Sequence, residues 1–228
     1  MNSSENLTVA PQRRPRLTHL VALLLVSQTA SATAQTTQWK AGTADNGQIV
    51  VKYNISERVN EDGVEVPLIE YVTTATASVS MQDCIALLKD PARHKDFMGD
   101  KTSQTLSHPS ENEWVIYSYY RAPFSFPDND RVTKMTFTED PTRKAAVFSF
   151  EAAPTLLEPR GVKRVTYYSS VYTLEEREGG TVALTLVLKM SPPPSKAPLW
   201  MIKAAFPGAG ADKLRNLVKL ANGKIGLS

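Results

Sequence analysis

Asp128 and Asp130 are the nearest thing in this sequence to a pair of catalytic carboxylates. They lie in "YYRAPFSFPDNDRV", residues 119–132, behind Pro127 and on either side of Asn129. That is the setting of a turn, where aspartate serves backbone geometry and stays solvated. Other groups able to do chemistry are equally sparse. Cys84 is the single cysteine, so no internal disulfide can form. His94 and His108 stand outside any Cys/His nucleophile signature, and a buried small hydrophobe is the expectation for the thiol. The three histidines offer no metal-ligand spacing. "GAGAD" at 208–212 follows no strand and lacks the lysine of a phosphate loop, so it reads as a helix break. No nucleophile elbow is present. Asn54-Ile55-Ser56 matches a glycosylation sequon.

The first residues read as a leader. Arg13, Arg14 and Arg16 form a basic stretch, Leu20 to Val26 is an unbroken apolar run, and Ala32-Thr33-Ala34 fits the small-x-small rule for signal peptidase. The apolar run is far short of the roughly 20 residues a spanning helix needs. A secretory signal peptide over 1–34 is therefore expected, with the mature domain over 35–228 in the periplasm or secreted. Cleavage removes those three arginines and Glu5 and takes the formal charge from +3 to +1. A near-neutral domain gives no electrostatic case for nucleic acid, which would need a basic stripe.

The elements that must position any site are mostly strands. Val51, Tyr53 and Ile55 alternate with Lys52, Asn54 and Ser56, and a turn at Asp62-Gly63 leads to a β-branched run ending at Thr76. Ser80 and Asp83 mark a helix start, the apolar stripe continues through Ile85, Leu87 and Leu88, and Pro91 ends it. A short second helix is expected over 93–97. Five β-rich segments follow, 114–120, 131–139, 144–152, 162–176 and 181–190, with turns at Pro141 and Gly179-Gly180. The result is one α+β domain with a mostly antiparallel sheet of about seven to nine strands and one continuous apolar face. Leu199, Ile202, Phe206, Leu214, Leu217, Val218 and Ala221 recur at helical spacing and supply a C-terminal cover, kinked at Pro207-Gly208. A sheet closed by a helix can hold an apolar pocket or a filled core, and periodicity fits both. Phe148, Phe150, Leu184, Leu186 and Leu188 are wall candidates by alternation; a one-residue slip would exchange them for their neighbours.

Four stretches, in order, resemble the START family, the steroidogenic-acute-regulatory-related lipid-transfer domains of the helix-grip superfamily. Trp39-Lys40 before a Gly47-centred turn looks like the family's opening. "LLKDPARHKDFMGD" is similar to its helix pair, with Phe97 where tryptophan is usual. "NEWVIYSYYRAPFSFPDNDRV" resembles its "Y…P-x-P…R-D" run, with Val132 in place of the aspartate. "SPPPSKAPLWMIKAAFPGAGADKLRNL" looks like its "P-x-W-L" entry into a long lid helix.

The resemblance implies a helix-grip fold, a curved sheet wrapped around the C-terminal helix, and a non-enzymatic monomer without cofactor or metal. It further implies one lipid or other hydrophobic ligand held under that helix, with loops at one end opening to admit it; exchange at a membrane surface is expected from the two phenylalanines of the loop, Phe124 and Phe126. By motif, Phe124 and Phe126 fall in the mouth loop, Arg131 in the "R-D" position, and Leu199, Trp200 and Ile202 at the start of the lid. Tyr119 and Phe206 complete the ligand-binding set with the five wall residues. Helix-grip relatives also include polyketide cyclases and aromatases, for which Tyr119, Tyr120, Arg121 and Glu151 would be the polar candidates.

Overall fold

Alternating apolar residues require a sheet with one dry face, and a single ten-stranded sheet is what the computed structural model shows. It describes residues 38–123 and 126–223, so Phe124 and the leader over 1–34 lie outside the described residues. The strands are β1 (Lys40–Ala44), β2 (Ile49–Val59), β3 (Glu65–Ala77), β4 (Thr102–Ser110), β5 (Glu113–Tyr120), β6 (Asn129–Asp140), β7 (Ala145–Ala152), β8 (Lys163–Arg164), β9 (Tyr167–Arg177) and β10 (Thr181–Ser191). Their order is β1-β2-β3-β10-β9-β7-β6-β5-β4, all antiparallel, with β8 lying parallel beside the start of β6. The β3–β10 pairing joins the two meanders of the chain, Val182 opposite Ala77 through Met190 opposite Ile69.

Helices α1 (Met81–Lys89) and α2 (His94–Met98) are inserted between β3 and β4, and α3 (Leu199–Ala204) and α4 (Gly208–Ala221) follow β10. Ser80 caps α1 by accepting from the Asp83 amide at 3.2 Å. Gly99, at φ 85°, turns the chain out of α2 in a left-handed conformation that favours glycine. Helix α4 packs on β2 and β3 and also touches α1 and α2.

The apolar stripes meet in one core. Leu184, Leu186 and Leu188 of β10 lie with Phe148 and Phe150 of β7, Leu88 of α1, and Leu214 and Leu217 of α4. Burial of each such side chain contributes about 1.5–3 kcal/mol. Cys84 is buried among them, and desolvation pushes its thiol up to about 12, so it stays protonated. A small second cluster, Val115, Tyr117 and Val132, lies on the opposite face of the sheet with Leu106, Tyr119 and Leu157 around it.

Several sequence expectations are corrected. "GAGAD" is not the helix break; it forms the first turns of α4, and the chain breaks just upstream at Ala205 to Pro207. Gly210 is there for close approach: a Cβ would stand 2.7 Å from Val51 Cγ1. The Gly210 carbonyl also accepts from Thr73 Oγ1 of β3 at 2.8 Å. The single strand expected over 162–176 is two, because Lys163 and Arg164 pair with β6 before β9 begins. Two edge strands, β1 and β4, carried no readable alternation. Apart from Ser103 and the half-buried Leu106, β4 is exposed along its length, and its pairing with β5 shifts register twice. An edge outside the core needs no apolar face. Asp130 is not a solvated turn residue: it is fully buried at the start of β6 and paired with Arg164. Asn54 of the sequon is 7 % exposed, and its amide donates to Glu70 at 3.2 Å, so the folded sheet withholds it from modification.

Candidate functional site

Where the sheet extends past the packed core, between the ends of β3 and β10, helix α2 and the α3–α4 corner, a cavity of about 550 Å³ remains. Ile69 and Tyr71 of β3 and Met190 of β10 form its sheet wall, and Ile202, Phe206 and Ala209 form its roof. Phe97 and Met98 close one side, while Ala122, Pro123, Phe126 and Pro127 of the β5–β6 loop close the mouth. Phe206 is fixed in place by Tyr53 and Tyr71, with ring centroids 5.2 and 5.5 Å away. A shallow groove lined by Pro127 and residues 194–198 borders the mouth.

One end of the cavity is polar. Arg131 enters from β6 and pairs with Asp100 at 2.5 Å, both side chains nearly withdrawn from solvent. The guanidinium also lies over the Tyr168 ring, 4.9 Å from its centroid. Lys213 of α4 donates to the Met98 carbonyl. Burial lowers its pKa to about 8, helped by the Arg131 charge. Tyr120, Asn129 and Asn216 share this end. The Tyr120 phenol is raised above its ordinary value, chiefly by burial and then by the Asp100 charge.

Of the residues singled out in the sequence, Phe126, Arg131, Ile202 and Phe206 line the cavity. Phe148, Phe150, Leu184, Leu186 and Leu188 face the same side of the sheet but lie within the packed core. Their parity is inward; what separates them from the cavity is their position along the strand, since α1 and α4 fill the space above them. Tyr119 is placed on the other face, beside Val115 and Tyr117, because β5 turns even-numbered residues inward. Its hydroxyl donates to Asp128 at 2.5 Å; this bond, with a second from the Ala122 amide at 2.9 Å, holds the Asp128 carboxyl below its usual range. Leu199 is half-buried and Trp200 is 66 % exposed, and neither lines the cavity. Phe124 lies outside the described residues. Of the polar set Tyr119, Tyr120, Arg121 and Glu151, only Tyr120 reaches the cavity; Arg121 and Glu151 are exposed.

Asp100, Lys213, Tyr71, Ile69 and Met190 were missed in the sequence. Two signals were legible: a glycine directly after α2 that redirects Asp100, and Ala209, Lys213 and Asn216 at i, i+4 and i+7 on one helix face. Neither says that the face looks inward.

Beneath the cavity wall, His94 packs its ring edge-on against Phe97 and Phe150. Its Nε2–H donates to the Leu88 carbonyl at 2.8 Å, serving an orphan acceptor in the last turn of α1. Burial lowers its pKa to about 4, against 6.5 for a free histidine. The unfolded chain therefore takes up the proton first as pH falls. Stability is complete above about pH 6.5 and is lost on the way down to 4, by up to about 3 kcal/mol. Urea unfolding should show the wild type losing roughly 2–3 kcal/mol more than His94→Gln between pH 7 and 4.5. Equal losses in the two proteins would contradict this account.

No family model matches the sequence, and no curated protein matches it. Solved structures do match. A STAR-related lipid transfer protein from Xanthomonas axonopodis is 21 % identical at TM-score 0.65, covering 81 % of this chain and 98 % of its own. Human StAR-related lipid transfer protein 5 is 13 % identical at TM-score 0.64, covering 83 % and 89 %. Human STARD10 is 14 % identical at TM-score 0.61, covering 82 % and 75 %. The likeness is one of fold: this chain has the helix-grip fold of StAR-related lipid-transfer domains, with a C-terminal helix against a large antiparallel sheet.

Proposed function

We propose that the protein binds a single lipid or similar hydrophobic molecule in the cavity under α3 and α4, and carries it without chemical change. The observation that carries this reading is the cavity itself. Its volume lies within the ordinary range of small-molecule pockets, its long walls are apolar, and its polar groups gather at one end. Removing an apolar ligand from water contributes about 25 cal/mol per Å² buried, with no reaction needed. The fold shared with lipid transfer proteins points the same way.

Exchange would take place at the mouth, where Trp200 of α3 is exposed beside the groove-lining residues and Phe126 stands in the wall. An exposed indole beside a pocket entrance suits a membrane surface, since an indole favours the interface between water and lipid. The basic stretch, apolar run and Ala32-Thr33-Ala34 of the leader support a site of action outside the cytoplasm.

Native mass spectrometry of the exported protein tests both parts. The expected result is a chain beginning at Gln35 with one co-purifying hydrophobic molecule, or stoichiometric uptake of one when it is offered. A protein that retains its leader removes the export reading. One that is empty and takes up no lipid, sterol or neutral hydrophobic dye removes the carrier reading.

A further inference from the structure

Charge at the polar end of the cavity carries the proposed function further, to the kind of head group the ligand bears. Four charged side chains line the cavity: Asp100, Arg131, Asp212 and Lys213. Asp212 is an exposed rim residue engaged with Arg215. Arg131 and Asp100 offset one another in a buried pair. Lys213 is left over. Its ammonium has a neutral carbonyl as acceptor, and among the described residues no carboxylate makes an ion pair with it. With Asp212 turned to solvent, the half-buried Lys213 leaves the polar end of the cavity with one surplus positive charge. An ammonium taken from water without a counter-charge is costly, and a ligand that supplies one relieves that cost. We infer that the cavity takes a lipophilic monoanion, its carboxylate or phosphodiester head held between Lys213 and Arg131 and its tail lying along Ile69, Met190 and Phe206.

Charge favours this over a neutral hydroxyl head. A hydroxyl can accept from the same two cations but brings no negative charge to offset the surplus. Lys213 comes to the cavity from the helix and Arg131 from the sheet, so an anion placed there has two cationic donors for charge-assisted hydrogen bonds. Asn129 and Asn216 stand at the same end as further hydrogen-bonding groups. The inference rests on the carrier reading, and it adds a dependence on pH. The titratable and charged groups around Lys213 are Arg131 on β6, Asp100 after α2, Tyr120 on β5, Tyr71 on β3, and Asp212 on its own helix. In the empty protein Lys213 titrates at about 8. A bound anion raises that value, so preference for the anion is complete below about 8 and is lost as pH climbs through the bound-state value.

The test is displacement of Nile red from the purified mature protein by oleate, 1-oleoyl-lysophosphatidylglycerol and oleyl alcohol at pH 7, and again at pH 9.5. At least one of the two anions is expected to bind roughly tenfold to a hundredfold more tightly than the alcohol. Which anion does so identifies a carboxylate or a phosphodiester source. Lys213→Met should bring the affinity for that anion down to the level of the alcohol, and Lys213→Arg should keep the preference at both pH values. The melting temperature of each variant serves as the folding control. Equal binding of alcohol and anions by the wild type, or a preference that survives Lys213→Met, overturns the monoanion inference and leaves the carrier reading standing. Failure of all three to displace the dye, together with the empty mass spectrum described above, overturns both.

Discussion

Arg164→Ala is expected to destabilise the fold by about 3–5 kcal/mol, the cost of stranding a buried charge. Asp130 has no exposed surface, and the Arg164 guanidinium contacts both of its carboxylate oxygens, with Nη2 to Oδ2 at 3.1 Å. The same group donates Nη1 to the Pro154 and Leu157 carbonyls, each at 2.8 Å. A single side chain therefore neutralises the start of β6 and ties down the 154–158 segment near the outer cluster of Val115, Tyr117 and Val132. Alanine would leave a carboxylate and two carbonyls without partners at once. At this chain size the melting temperature should fall by roughly 6–20 °C. Removing both charges in Asp130→Asn plus Arg164→Met should cost less than the single change, because no ion is then left uncompensated. Urea unfolding of the three proteins decides it. A single variant within about 1 kcal/mol of wild type would show that the pair is not the clasp described here.

Filling the cavity should remove binding without removing the fold. Ile69 and Met190 face each other across the β3–β10 pair, and both line the void. Tryptophan at both positions would project indoles into empty space rather than into packed neighbours, so the usual strain of overpacking is relieved. Uptake of any hydrophobic ligand should drop by at least about a hundredfold, close to 2.7 kcal/mol, while the melting temperature holds or rises. Val187→Trp, on the outward face of the same strand where Val187 is exposed, should leave uptake intact. Undiminished uptake by the doubly filled protein would move the ligand site away from this cavity.

Particular residues show what could be read ahead of the structure. Ser80 as a cap, Gly179-Gly180 as a hairpin and the alternation of Val182 to Met190 are local signals, written within a few residues by backbone geometry and one-sided burial. They determined the fold class and the order of its elements, and the proline at 207 located the break between α3 and α4 to within a few residues. The site was less legible. Leu184 and Met190 have the same parity on the same strand, yet Leu184 is core and Met190 is cavity wall. Periodicity reports the face a residue turns to, not how far along that face the covering helices reach. Arg131 was marked, but its partner Asp100 lies 31 residues away and Lys213 arrives from the last helix. Asp130 read as a turn residue until Arg164, 34 residues on, was placed against it. The sequence by itself determined which residues must be dry and in what order the elements come. Only the tertiary structure decided where packing stops and a cavity begins, and which distant charges share it, because both depend on contacts between segments whose separation along the chain encodes nothing about their distance in space.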